Sequence, residues 1–90
     1  MNCYFFYLEY DGQKKSSVAH PSPRDMIYAN YVANAICEFA QKNKMSEWTL
    51  DTLDVVKSQG YRVFFRKNRF LRGVQEFIYY VRPEGQEYIS

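Results

Sequence analysis

The sequence predicts an α+β protein, a two-layer fold in which an antiparallel sheet of about four strands, ordered β-β-α-α-β-β, carries two helices on one face. Three observations lead there. Cys3 to Tyr10 form an aromatic run suited to a strand. Tyr28 to Phe39 repeat at the spacings of a helix, and Tyr61 to Arg66 alternate in a way that returns the chain to a sheet. Ninety residues leave room for one core, so residues 1–90 read as a single domain whose tail from residue 84 is frayed. A hydrophobic content of 47% excludes a disordered chain, which lacks the apolar surface to offset conformational entropy.

In the first strand Tyr4, Phe6, Leu8 and Tyr10 share one face and Cys3, Phe5, Tyr7 and Glu9 the other. Both faces are largely apolar, so a position inside the sheet is expected. Asp11-Gly12 suits a type I′ turn, whose two central residues need positive φ, and predicts a hairpin returning through the polar segment Gln13 to Ala19. Ser22 is placed to cap a helix with Pro23 at its first position and Asp25 three residues after the cap. Tyr28, Tyr31, Val32, Ala35, Ile36 and Phe39 then form its apolar stripe, ending near Gln41 to Lys44.

Leu50, Leu53 and Val56 predict a second helix from about Glu47 to Gln59, with Gly60 as a left-handed C-terminal cap. A strand competes, because Trp48 alternates with Leu50 and Leu53 with Val55, but its phase slips between those pairs. From Tyr61 to Arg66 a strand sets Tyr61, Val63 and Phe65 on one face and Phe64, flanked by Arg62 and Arg66, on the other. A loop over Lys67 to Gly73 and a strand over Val74 to Arg82 complete the reading, in preference to a helical stripe through Phe70, Val74 and Phe77 that Gly73 weakens.

Few functional classes find support in the residues. No apolar run is long enough to cross a bilayer and the N-terminus lacks a secretory pattern, so a cytoplasmic protein with Cys3 and Cys37 reduced is expected. Those thiols and His20 are the only soft metal donors, without CxxC or HxxxH spacing, so neither metal nor cofactor is expected. A hydrolase using His20 with Ser16, Ser17 or Ser22 is a minor alternative, because no nucleophile elbow accompanies them. Asp51 and Asp54 share a face if the second helix forms, but acids near a helix start are ordinary. Nucleotide-binding glycine patterns are absent, and no catalytic residue is assigned.

The remaining signal is charge distribution. Val55 to Gln75 contains Lys57, Arg62, Arg66, Lys67, Arg69 and Arg72 and no acid, in a chain of net charge +2. A helix C-terminus explains Lys57, which leaves Arg62, Phe64, Arg66, Lys67, Arg69, Phe70 and Arg72 as the candidate binding residues. Arginine and aromatic side chains are enriched at protein interfaces, and the same groups grip phosphates and stack on unpaired bases. The plainest account is that the cations solvate a strand face and a loop. Ranked first among functional readings is a non-enzymatic binding protein of inhibitor or adaptor type with a protein partner. Nucleic-acid binding by the same residues is the alternative, and exposed aromatics with a free sheet edge would also suit a homodimer.

Overall fold

The computed structural model describes residues 1–13, 22–51, 60–69 and 71–84. They build β1 (Asn2–Tyr10), β2 (Asp25–Ala29), α1 (Val32–Lys42), β3 (Glu47–Asp51), β4 (Tyr61–Arg69) and β5 (Gly73–Pro83). The strands form one five-stranded sheet in the order β2-β1-β5-β4-β3, with every neighbouring pair antiparallel. The first and last strands therefore lie side by side inside the sheet, and the connection through α1 carries the chain from one outer strand to the other. The expected four-strand sheet with two helices is incorrect: among the described residues there are five strands and one helix.

Two segments account for the difference. Asp25–Ala29, expected as the first turns of a helix, pairs with β1 from Asn2↔Ala29 to Phe6↔Asp25. Alternation buries Ile27 and Ala29 while Met26 and Tyr28 stay exposed, so pairing satisfies the backbone and buries an apolar row together. The helix starts at Val32, not Pro23, and its N-cap Tyr31 makes no side-chain capping bond. Asp25 acts differently from the expected capping partner, since its carboxylate takes the Lys42 ammonium at 2.9 Å and ties β2 to the last turn of α1.

Glu47–Asp51 is likewise a strand, in which half-buried Trp48 and Leu50 stand opposite Phe65 and Val63. The competing alternation was thus the correct local signal for this segment; residues 52–59 lie outside the described residues. Gly60 is not a left-handed cap, because its φ is not positive. It is small for another reason: a Cβ there would run into the ring and hydroxyl of Tyr80. The Asp11-Gly12 turn also departs from type I′, because Gly12 has φ +92° while Asp11 is not at positive φ. The neighbour of β1 on that side is β2, and the expected return strand lies outside the described residues beyond Gln13.

The core occupies the face that α1 covers. Ala35, Ile36, Phe39 and Ala40 form the buried stripe of the helix, so the second half of the expected pattern is retained. Phe39 lies at the centre, stacked on Phe6 with centroids 4.4 Å apart and meeting Phe65 and Tyr79 at 5.1 and 4.8 Å. Val63 and Val81 are fully buried beside them. The helix ends in a Schellman arrangement: the Met45 amide donates to the Ala40 carbonyl and that of Lys44 to Gln41, with Lys44 at φ +57° where glycine is usual.

Candidate interaction surface

β4 positions most of the candidate residues, and its alternation separates them. Arg62, Phe64 and Arg66 project from the face opposite α1, whereas Val63 and Phe65 are buried under the helix and Lys67 and Arg69 continue their parity. The strand runs on to Arg69, so the expected loop from Lys67 is incorrect; the described turn residues before β5 are Leu71 and Arg72. Arg72 lies in that turn, its amide donating to the Arg69 carbonyl at 3.0 Å. Phe70 lies outside the described residues. The basic stretch is therefore distributed over two sheet faces and a hairpin tip.

What collects around Arg62, Phe64 and Arg66 is the outer face of the sheet, against which no described helix or strand packs. Phe5 and Tyr7 come from β1, Met26 and Tyr28 from β2, and Ile78, Tyr80 and Arg82 from β5, placed together by the registers Phe5↔Arg82, Tyr7↔Tyr80 and Phe64↔Ile78. Tyr28 is 61% exposed and Phe64 37%. Phe5, Tyr7, Ile78 and Tyr80 are half-buried by one another and by the long charged chains between them. The Arg82 guanidinium stands 5.7 Å from the Tyr7 ring centroid and 6.0 Å from that of Phe5, and its Nη2 donates to the Tyr7 hydroxyl at 3.2 Å.

Both β4 arginines on this face have an acid beside them. Arg62 Nε donates to Glu9 Oε1 at 3.0 Å across β5, and Arg66 Nη1 to Glu47 Oε1 at 3.3 Å. The β1–β5 register shifts between Leu8 and Tyr10, a bulge at Glu9 that breaks the β1 alternation and leaves Tyr10 opposite Ile78. The expected grouping of Tyr10 with Leu8 does not hold beyond that point. Two tyrosines have raised hydroxyl pKa values. Beside Tyr28 the Cys3 side chain is the main cause, through charge and a hydrogen bond, while for Tyr79 burial dominates.

Among the described residues no group of three His, Cys, Asp or Glu side chains converges to hold a metal, and Cys3 and Cys37 are free thiols, buried and exposed respectively. His20 lies outside the described residues. Asp51 ends a strand, not a helix, which removes the geometric basis for pairing it with Asp54. Among the described residues no helix is long and apolar enough to cross a membrane. Phe5, Tyr7, Tyr28, Tyr80 and Arg82 were not among the candidates, although the outward parity of Phe5 and Tyr7 was readable in the sequence. Comparison with known families, with curated proteins and with solved structures finds no match.

Proposed function

We propose that this protein is a non-enzymatic binding module of inhibitor or adaptor type that holds a protein partner against the outer face of its sheet, with Phe64 near the middle of the contact. The observation that carries this reading is the pairing of charge on an aromatic surface. Arg62 and Arg66 already have Glu9 and Glu47 beside them, while Tyr28 and Phe64 expose ring surface. A phosphate backbone gains affinity by replacing counterions around unneutralised cations, and carboxylates beside the arginines weaken that gain. A polypeptide surface of mixed charge gains from ring burial and from exchange of ion pairs at the rim.

Nucleic-acid binding by the same face is therefore the second reading, favoured only by the adjacency of Phe64 to Arg62 and Arg66. A second copy of this chain is a special case of a protein partner. The free thiols fit a reducing cytoplasm.

A photo-crosslinking side chain at position 64, compared with one at exposed Glu38 on α1, tests the reading in cells. The expected outcome is a discrete protein adduct from position 64 and none from position 38. Adducts to nucleic acid alone, or to protein from position 38 alone, would overturn it, and an adduct of twice the chain mass would identify the partner as a second copy.

A further inference from the structure

The arginines beyond the outer face differ from those on it. A groove of about 630 Å³ opens at the end of the sheet between the turn after β1 and the β4–β5 hairpin, with Asp11, Gly12, Arg69, Arg72, Gln75 and Glu76 in its walls. Gly12 fixes one wall, because a Cβ there would stand 3.0 Å from Gln75 Cγ and 3.1 Å from the Glu76 carbonyl oxygen. Gln75 fixes the other: its Nε2 donates to the Asp11 carbonyl at 2.6 Å while its Oε1 accepts from Arg69 Nε.

The Arg69 guanidinium is thus oriented by a neutral amide, which leaves its charge uncompensated. Among the described residues neither Arg69 nor Arg72 has an ion-pair partner, in contrast to Arg62 and Arg66. At the same hairpin tip Leu71 is 90% exposed and held at φ +65°, a conformation that costs a branched side chain free energy. A pre-oriented guanidinium, a second one beside it and an exposed apolar side chain form a receptor for a carboxylate borne on a polypeptide. Asp11 and Glu76 in the same walls repel a continuous polyphosphate while tolerating a single carboxylate flanked by neutral or basic groups.

We propose that the Arg69–Arg72 groove binds an acidic side chain of the protein partner, a subsite that rests on the reading of the adjoining sheet face as a protein interface and extends it through Val74 and Glu76.

The test is a nuclear magnetic resonance titration of the full chain with a peptide bearing one glutamate between neutral residues, acetyl-Ala-Glu-Ala amide, followed at backbone amides and arginine Nε–H groups. Saturable shifts are expected at Gly12, Arg69, Arg72 and Gln75, with none from the matching glutamine peptide, acetyl-Ala-Gln-Ala amide. Arg72→Gln and Arg69→Gln should each weaken binding about tenfold, the scale of one charged hydrogen-bonded contact. Arg69→Lys, which keeps the charge without the planar fork, should fall between. The proposal is overturned if no saturable shift occurs at millimolar peptide, if the glutamine peptide acts equally, if shifts centre on Arg62 and Arg66, or if a thymidine decanucleotide occupies the groove more tightly. Groove binding together with a failed crosslink at position 64 removes the sheet-face reading and leaves a carboxylate site; the reverse removes the groove alone.

Discussion

The two faces of this sheet are built from the same strands and similar residues, yet only one of them is covered by the helix. On the inner face Phe6, Phe65 and Tyr79 close around Phe39, and almost no ring surface reaches solvent. The outer face carries Phe5, Tyr7, Phe64 and Tyr80 at the same strand positions one residue away, but arginines and glutamates stand where the inner face has Val63 and Val81. Aromatic content alone therefore does not mark a core. What separates the covered face from the open one is whether long charged side chains interleave with the rings, because they keep the surface wet.

The largest expected contrast comes from truncating one ring on each face. Phe39→Ala should lower the unfolding free energy by about 3–5 kcal/mol, since it opens a cavity among rings that cannot collapse. Phe64→Ala should cost about 1 kcal/mol, because that side chain is partly in water already. Urea denaturation of the two variants measures both, and equal losses would erase the distinction between the faces.

A smaller effect comes from a tightly packed spot on the outer face. Gly60→Ala must displace the Tyr80 ring and should cost about 1–3 kcal/mol, visible as a lower urea midpoint. The double change with Tyr80→Ala should recover part of that loss, since the obstacle is then gone. Smaller again is Glu9→Gln, which removes the carboxylate beside Arg62; both side chains are 38% exposed, so the stability change should stay within about 1 kcal/mol. The same substitution should increase binding to oligonucleotides at low salt, because it removes one negative charge from beside a cation.

Alkaline pH sharpens the comparison from the inner side. Burial raises the Tyr79 pKa in the folded state, so the neutral phenol is favoured there. The resulting stabilisation is present below the unfolded tyrosine pKa of about 10 and is lost as pH rises through the higher folded value. Tyr79→Phe should flatten that part of the stability profile above pH 10, measured by thermal melts across the alkaline range.

The legible parts of the fold were the long ones. β1 and β4 declare themselves by composition and alternation over enough residues to outweigh any competing period, and the helix stripe from Val32 to Phe39 is long enough to be read directly. The segments misread were β2 and β3, each five residues long. A run that short fits both a strand and a helix turn, and its state is decided by the partner strand: β1 for Asp25–Ala29 and β4 for Glu47–Asp51. The continuation of β4 through Lys67, Asn68 and Arg69 was hidden because those residues are polar and pair with β5 near the open end of the sheet.

The candidate site was legible to the same extent. Strand parity correctly joined Arg62, Phe64 and Arg66, and it would have separated Lys67 and Arg69 had the strand been carried to its observed end. The acids beside Arg62 and Arg66 could not be found within the acid-free stretch, since Glu9 and Glu47 come from β1 and β3. A local charge cluster was visible in the chain. Its division into paired cations on a face and unpaired cations at a tip depends on tertiary structure.

If the outer face serves binding and contributes little to folding, Phe64→Glu separates the two roles. With the partner captured by the position-64 crosslink in hand, the measurement is the affinity of the unmodified and Phe64→Glu proteins for it, alongside their urea midpoints. Affinity is expected to fall at least about a hundredfold, the loss typical of a buried interface aromatic, while the midpoint changes little. Retained affinity in a folded Phe64→Glu protein would contradict the binding role.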